Sequence, residues 1–400
     1  MHFGPIFRAM RHNRARFALI VIEIAITLAI VSNCVNMILT EREQMLRKSG
    51  FDDENLVSVS FSPFAPEFKQ QSYTDQVVYA DLRALRAIPG VKSAAATYML
   101  PWAGGGSSGT FRAEGYPEKF QAQSYPVYGK IAETLGAKLV QGRDLTEQDA
   151  PTDPNTSPSV IVISESLAKK LWGNANPIGK LFLSNDGQSS RTVIGVVGEF
   201  YNPYSWNIGE YVRFSPSRWW DGGGANYLIR TEPGALRAVA PQLEAVLLKA
   251  NPGRMIRVQT IPEVREQFFT NGRLVVTAMS AVIVALIFVT ALGILGITSL
   301  AVSERTRQIG TRRALGATRP DIIRHFVAEN WIVTTIGLVL GVLATYGLNI
   351  ALMTRLTDAK MPWYLVLVGM VLLWLNGIIA TIPPALRAAS LAPSIATRSV

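Results

Sequence analysis

Four apolar segments constrain this chain more than any other feature of its sequence. They lie at residues 17–39, 274–302, 326–353 and 363–383. Each provides the roughly 20 residues that a helix needs to cross the hydrocarbon core of a bilayer. The composition agrees with a membrane protein, because 48% of the residues are hydrophobic and only 17% are charged. The stretch 40–273 has an ordinary soluble composition and is long enough for one large domain with an insertion.

The net positive charge of the chain is confined to the segments that flank these spans. The formal net charge is +10, and segments 1–16, 303–325 and 384–400 contain twelve arginines and two acidic residues, which account for all of it. The positive-inside rule therefore places both termini and the 303–325 loop in the cytoplasm, and the long domain and the short 354–362 loop outside. Contact with membrane lipid headgroups is a second use of these arginines. Nucleic-acid binding is excluded, because no soluble domain carries a basic excess.

The long domain shows the same order of elements twice. Each half has a strand, an amphipathic helix that ends at Pro-Gly, and a second strand. The elements are strand 56–61, helix 75–88 and strand 91–98, and then strand 227–230, helix 236–250 and strand 255–260. Two βαβ halves predict a ferredoxin-like split βαβ unit, so the fold class is an α+β membrane protein with a large extracytoplasmic domain.

The insertion between the two halves, about residues 100–221, predicts a β-rich subdomain. Its best strands are 159–163 and 192–197, and 164–173 predicts a short helix with a serine cap and a glycine stop. Residues 261–273 are expected to lead from the last strand into the second span as one continuous helix. The insertion also contains an aromatic loop whose role stays open between packing and a ligand or partner surface. Its tryptophans are Trp206, Trp219 and Trp220.

Local patterns within the spans predict how they contact one another and where they end. Glu23, Asn33 and Asn36 are polar groups in the first span. Such groups are costly in lipid, so we expect them mainly to face partner helices. A GxxxG pattern at 337–341 allows close helix approach, although the same pattern also occurs by chance in apolar helices. Pro383 and the proline after it are expected to end the last span.

The sequence contains no pattern that indicates an active site. Neither GxxxxGKS nor GxxxxGKT occurs, and the glycine-rich stretches 104–109 and 222–224 lack the lysine of a phosphate loop. The three histidines, at positions 2, 12 and 325, do not have the spacing of a metal or catalytic cluster. We therefore expect no catalytic residue, no metal and no cofactor in this chain.

The loop that follows the second span is the densest group of arginines in the chain. Residues 303–318 have the sequence SERTRQIGTRRALGAT, between two spans. The arginines can pair with carboxylates of a partner protein, and Ile309 and Leu315 can supply apolar contacts to it. The alternative is that these arginines serve only topology and lipid headgroups. The residues alone leave both interpretations open.

Together with other segments, this loop resembles the FtsX/MacB permease family. The loop is similar to the cytoplasmic loop of that family. In the long domain, the segments that resemble the MacB-type periplasmic core domain are GRDL at 142–145, ISESLAKKLWG at 163–173, PIGK at 177–180 and VIGVVG at 193–198. The tail is also similar, with PALRAA at 384–389 and LAP at 391–393. The likeness covers nearly the whole chain, in the order that the family has.

The resemblance implies an ABC transporter permease of the bacterial inner membrane that works with a second permease subunit, as a homodimer or heterodimer. An ABC ATPase dimer would bind ATP and Mg, and its motion would reach the periplasmic domain mechanically, with no substrate passing between the spans. MacB carries its ATPase fused at the amino terminus, whereas sixteen residues precede the first span here. A separate ATPase chain is therefore expected.

The same resemblance assigns the ATPase contact to the loop. The residues assigned are Glu304, Arg305, Arg307, Gln308, Ile309, Gly310, Arg312, Arg313, Leu315, Gly316 and Ala317. Thr311 departs from the aliphatic residue that the family usually has there, which puts the docking of that turn in doubt.

Two classes of function fit this resemblance. The first is a MacB-like export permease for a drug, peptide or similar substrate, with or without a periplasmic adaptor and an outer-membrane channel. The second is an FtsX-like signalling transducer that controls a periplasmic protein, and a lipoprotein-releasing permease would have the same topology. The large two-part outer domain favours export, because the FtsX kind generally has a smaller outer domain.

Overall fold

The computed structural model of the chain describes residues 14–103, 107–153, 156–202, 208–218, 225–353 and 361–391. These residues fall into two units. We call Gln44–Asn271 the core domain, and Met1–Glu43 with Gly272–Val400 the helical unit. The three tryptophans of the aromatic loop, Trp206, Trp219 and Trp220, lie outside the described residues.

Helices and strands are numbered here in chain order within the described residues. The helices are α1 (Arg14–Leu46), α2 (Gln71–Arg86), α3 (Ile131–Leu135), α4 (Glu165–Trp172), α5 (Leu236–Ala250), α6 (Ile261–Phe268), α7 (Thr270–Glu304), α8 (Thr306–Ala314), α9 (Arg319–Met353) and α10 (Trp363–Ser390). The strands are β1 (Leu56–Pro63), β2 (Val91–Thr97), β3 (Ser108–Ala113), β4 (Tyr116–Tyr128), β5 (Leu139–Gly142), β6 (Val160–Ser164), β7 (Leu181–Ser184), β8 (Ser190–Val197), β9 (Val212–Pro216), β10 (Asn226–Thr231) and β11 (Arg254–Thr260).

The helical unit contains α1, α7, α9 and α10, which are long and apolar enough to cross a membrane. They include the four predicted spans. The GxxxG pattern of α9 is a packing site, because a Cβ added to Gly337 would lie 2.9 Å from the Cβ of Ile24 on α1. A Cβ added to Gly341 would lie 3.0 Å from the Leu28 side chain. The two glycines therefore let α9 approach α1 closely.

Buried polar side chains of the helical unit bond between helices. The amide nitrogen of Asn349 on α9 donates to the amide oxygen of Asn33 on α1 at 3.2 Å. The hydroxyls of Thr27 on α1 and Thr290 on α7 lie 2.9 Å apart. Because lipid offers no partner for such groups, each pair fixes which helix faces meet. The prediction that Asn33 faces a partner helix is confirmed.

The first layer of the core domain is the predicted ferredoxin-like unit. Its strand order is β11–β1–β10–β2, and every pair in it is antiparallel. Val59 of β1 lies opposite Tyr227 on one side and Val258 on the other. Apolar residues of α2 and α5, such as Leu82 and Leu243, pack on this sheet in one buried cluster. The alternating pattern of β1 and the helical period of α2 and α5 produce this arrangement.

A charged network is buried between this sheet and its helices. The terminal nitrogens of Arg254 on β11 donate to both carboxylate oxygens of Asp81 on α2, the longer contact being 2.7 Å. The hydroxyl of Tyr227 donates to the same carboxylate, and all three side chains are buried. The Arg254 guanidinium also donates to the Leu247 carbonyl of α5 at 2.9 Å. The network therefore joins α2, α5 and two strands.

The inserted subdomain contains a closed barrel. Its strands pair in the order β4–β3–β7–β8–β6–β9, and β9 pairs with β4 to close the circuit. The β6–β8 and β4–β9 pairs are parallel and the other pairs of the circuit are antiparallel. Strand β5 pairs with β8 outside the circuit. The β-rich character of the subdomain was predicted from the sequence, but the closure of its strands into a barrel was not.

Arg265 joins the two ends of the core domain. Its guanidinium donates to a carboxylate oxygen of Asp53 at 2.8 Å, and to the carbonyls of Met45 and Arg47 at 3.1 and 2.8 Å. It also lies 4.8 Å from the ring centre of the buried Trp102. The segment that follows α1 and the helix α6 are therefore held together by one side chain.

One predicted helix end was wrong. Helix α10 continues through Pro383 and Pro384 to Ser390, because Ala385 and neighbouring alanines of its last turns pack in a buried apolar cluster. Tertiary packing of this kind outweighs the lost backbone hydrogen bond. The range 261–273, predicted to lead into the second span as a helix, is helical apart from Phe269, whose φ and ψ of −85° and 1° separate α6 from α7.

Candidate coupling site

The basic loop folds into the short helix α8 between α7 and α9. Arg305, with φ −100° and ψ 11°, separates the end of α7 from α8. Gly316, at φ +99°, takes a left-handed conformation that favours glycine and ends the α8 turn. The Asp321 carboxylate then accepts hydrogen bonds from the backbone nitrogen of Thr318 at 3.0 Å and from its hydroxyl. These local signals hold α8 as a separate helix between two long ones.

One face of α8 is buried within the helical unit. Ile309 is 5% exposed, and it lies in a cluster with Val302 of α7, Phe326 of α9 and Ala385 of α10. Gly310 beside it is also buried. Ile309, predicted to offer an apolar contact to the ATPase, packs in this structure against three helices of its own chain.

A shielded ion pair connects the start of α8 to α9. One terminal nitrogen of Arg305 lies 2.9 and 3.1 Å from the two carboxylate oxygens of Glu329. The side chains are only 20% and 8% exposed, respectively. Because charges removed from water attract each other more strongly, this pair resists separation more than a surface pair does.

A second ion pair connects the end of α7 to α1. The two terminal nitrogens of Arg16 donate to the two carboxylate oxygens of Glu304, both at 2.7 Å. Hydrogen bonding to Arg16 lowers the pKa of the Glu304 carboxyl and raises that of Arg16. Both side chains are exposed, so solvent screening leaves this pair a small contribution to stability.

Arg313 connects α8 to the end of α10. Its Nη1 donates to the carbonyl oxygens of Ala389 and Leu391 at 2.9 and 2.6 Å. The last carbonyls of a helix lack internal partners and carry partial negative charge, so an arginine is well suited to them. The Arg313 side chain is therefore engaged within its own chain.

The opposite face of α8 points into solvent. Arg307, Gln308, Thr311 and Arg312 are exposed there. Within the described part of the chain, neither Arg307 nor Arg312 makes an ion pair or a side-chain hydrogen bond. Leu315, just beyond the helix, is 83% exposed. Two free guanidinium groups beside an uncovered leucine are typical of a surface that binds an acidic partner.

The structure thus divides the eleven assigned residues into two groups. The side chains of Glu304, Arg305, Ile309 and Arg313 contact the rest of the helical unit, Gly310 is buried and Ala317 is partly buried. Those exposed to solvent are Arg307, Gln308, Arg312, Leu315 and Gly316. Sequence reasoning missed the partners Arg16 and Glu329. A lone acid near the start of an apolar span is the signal that could have identified Glu329.

In the part of the chain that the structure describes, no group of three or more His, Cys, Asp or Glu side chains is arranged to hold a metal ion. The features of the site are a charged outer face and a network of inward contacts.

Two family models cover most of the chain. The MacB-like periplasmic core domain matches residues 20–257, and the FtsX-like permease C-terminal domain matches residues 280–393. The chain belongs to the MacB/FtsX family of ABC transporter permeases. Helix α8 lies within the FtsX-like match, and the ferredoxin-like and barrel parts lie mainly within the MacB-like match.

Relatives within the MacB/FtsX family differ in length. The uncharacterized ABC transporter permease YknZ of Bacillus subtilis is 26% identical over 370 residues, which cover 89% of this chain and 88% of YknZ. The macrolide export ATP-binding/permease protein MacB of Aggregatibacter actinomycetemcomitans is 29% identical over 241 residues, 56% of this chain. This chain spans only 34% of that MacB.

A solved structure from the family is also similar. The periplasmic region of MacB from Actinobacillus actinomycetemcomitans aligns with 57% of this chain and 98% of its own length, at 20% identity and a TM-score of 0.37.

Proposed function

We propose that this chain is the permease subunit of a MacB-like transporter, and that it carries the motion of a separate ABC ATPase dimer to its core domain. The ATPase would bind ATP and Mg, and this chain would supply the contact and the mechanical path. The observation that carries the proposal is the division of α8 into an exposed basic face and a face attached to α7, α9 and α10. A second permease subunit would complete the assembly.

The inward contacts connect the exposed face of α8 to the neighbouring helices. Ile309 packs against α7, α9 and α10, and Arg305 is paired with Glu329 on α9. A partner that displaces α8 would therefore also displace these helices, because packed side chains resist sliding past one another. Helices α1 and α7 precede and follow the core domain in the chain. They are the natural route for that displacement.

Export is the transport role that the relatives favour. The core domain matches the MacB-like family model over residues 20–257, and several full-length relatives are named macrolide export proteins. We propose export of a drug, peptide or similar substrate, with both termini in the cytoplasm and the core domain in the periplasm. Exposed arginines beside the spans, such as Arg307 and Arg312, would also contact lipid headgroups.

The test reverses charge on the exposed face alone. We expect the double variant Arg307→Glu/Arg312→Glu to lose co-purification of the ATPase and at least about tenfold of the transport-coupled ATPase rate. Neither arginine has an ion-pair partner among the described residues, so folding should be unchanged. The measurements are pull-down of the ATPase from membranes and ATP hydrolysis by the reconstituted complex.

The matched control is Arg324→Glu/Arg387→Glu. It makes the same change of charge at two exposed arginines outside α8 and should retain binding and coupled hydrolysis. Equal losses in both double variants would mean that general basic charge, and not α8, recruits the ATPase. Full activity of Arg307→Glu/Arg312→Glu would also contradict the proposal. Drug efflux from cells that carry each variant then tests the export role separately.

A further inference from the structure

The barrel of the core domain carries an arginine on its inner face. Arg213 of β9 lies opposite Ile163 of β6 and Ser124 of β4, on the face that packs into the barrel core. Its guanidinium carbon is 4.2 Å from the ring centre of Phe111 and 5.7 Å from that of Phe182. A cation over the faces of two aromatic rings is held in a defined position.

A second arginine shares this end of the barrel. Arg191 of β8 lies opposite Phe182 of β7 and therefore on the same face. Burial lowers the pKa of Arg191, while burial and then the charge of Arg191 lower the pKa of Arg213. Two cations placed together in an apolar setting repel each other, and the arrangement is unfavourable without a compensating negative charge.

The expected counter-charge is missing from the described residues. Neither Arg191 nor Arg213 forms an ion pair or a side-chain hydrogen bond with any of them, in contrast to Arg254 in the same domain. The Nε atoms of both arginines and Nη1 of Arg213 are buried and lack partners. The other guanidinium nitrogens, which are both terminal nitrogens of Arg191 and Nη2 of Arg213, are not fully buried. Solvent therefore reaches them. The pair therefore offers donors to a ligand that approaches from outside.

We propose that Arg191 and Arg213, which we call the arginine pair, form a binding site for a small oxyanion, a phosphate or carboxylate group. Two guanidinium groups present planar sets of N–H donors that match the oxygens of such groups. The rings of Phe111 and Phe182 hold Arg213 in place and provide an apolar wall for the remainder of a ligand. This site lies in the core domain and does not depend on the proposed ATPase contact.

The test titrates the full-length protein in detergent with inorganic phosphate and, separately, with acetate, by calorimetry at constant ionic strength. We expect saturable binding of at least one of these anions. Arg213→Met and Arg191→Met should each weaken that binding by about tenfold or more, since each removes one set of donors. Arg112→Gln is the matched control, because Arg112 is exposed on β3 next to Phe111 and should leave binding unchanged.

Each outcome decides the proposal. Binding of phosphate alone or acetate alone supports the site and names its ligand group. No binding of either anion up to about 50 mM would mean that water alone serves these donors, which overturns the proposal. Unchanged binding in Arg213→Met and Arg191→Met would place the anion elsewhere and overturn it as well. If Arg213→Met does not fold, anion binding is measured instead in Arg191→Met, which changes a half-exposed residue, and in Arg213→Lys. Lysine retains the charge but lacks the planar set of donors, so Arg213→Lys should also weaken binding.

Discussion

Asp81 is the residue of the core domain whose truncation we expect to cost the most stability. Its buried carboxylate accepts hydrogen bonds from Arg254 and Tyr227, so Asp81→Ala leaves a buried guanidinium without its counter-charge. We expect a loss of about 3–5 kcal/mol in the free energy of unfolding, measured by urea unfolding of the full-length protein in detergent. The double variant Asp81→Leu/Arg254→Met removes both charges and should be much less destabilised. A loss below about 1 kcal/mol in Asp81→Ala would show that the pair is not shielded from water.

The orientation of the α8 side chains could not be predicted from the sequence. The arginines and the two apolar residues of the loop were identified, but their orientation was not. Ile309 is buried because α10 continues beside it through Pro383, and no pattern within the loop reports that distant helix. Arg313 and Arg312 are adjacent, yet only Arg313 reaches the carbonyls at the end of α10. Which of two neighbouring arginines is free depends on contacts that are far apart in sequence.

At the element scale, the glycines of α9 allow a prediction with opposite signs at two positions. A Cβ at Gly337 would meet the Cβ of Ile24 at 2.9 Å, whereas a Cβ at Gly347 would meet no atom within 4 Å apart from the backbone of its own helix. We expect Gly337→Ala to destabilise the helical unit by about 1–3 kcal/mol through overpacking. Gly347→Ala should be neutral or stabilise it by up to about 1 kcal/mol, because alanine is the better helix former.

Unfolding of the two glycine variants in micelles with increasing SDS is the measurement. Equal responses would mean that α9 does not pack on α1 through this pattern. Gly337→Ala alone cannot decide the matter, because any change in a helix could perturb folding. The comparison with Gly347→Ala on the same helix removes that ambiguity.

Elements set by local signals were predictable, and those set by distant pairing were not. The Ser164 side chain accepts from the Leu167 nitrogen at 3.4 Å and Gly173 has a φ of +59°, so α4 begins and ends where its cap and stop residues predict. The closing pair of the barrel joins residues such as Gln123 and Val212, which are far apart in the chain. A strand pattern shows that a segment pairs but does not name its partner.

For the whole molecule, the two faces of α8 separate two functions that a simple basic loop would combine. In the proposed mechanism, the exposed face with Arg307 and Arg312 binds the ATPase, and the inward face with Arg305 and Ile309 transmits its motion. The family models establish that the chain is an ABC transporter permease of the MacB/FtsX family. The proposed mechanism then requires that binding and transmission fail independently when the two faces are altered separately.

Glu329→Gln tests this separation. The substitution removes the negative charge that holds Arg305 but leaves every exposed residue of α8 in place. We expect the ATPase to co-purify at the wild-type level while drug efflux and transport-coupled ATP hydrolysis fall by about tenfold, because a shielded charge that has lost its partner no longer fixes the start of α8. Arg16→Gln breaks only the exposed pair with Glu304 and should reduce efflux far less.

The two sets of variants are expected to fail in different ways. Arg307→Glu/Arg312→Glu should lose the ATPase, and Glu329→Gln should keep it but fail to respond to it. If Glu329→Gln also loses the ATPase, the inward contacts serve only to shape the docking surface. If it exports at the wild-type rate, motion reaches the core domain by a path that does not include the Arg305–Glu329 pair, and Ile309 with its apolar cluster on α7, α9 and α10 becomes the next element to alter.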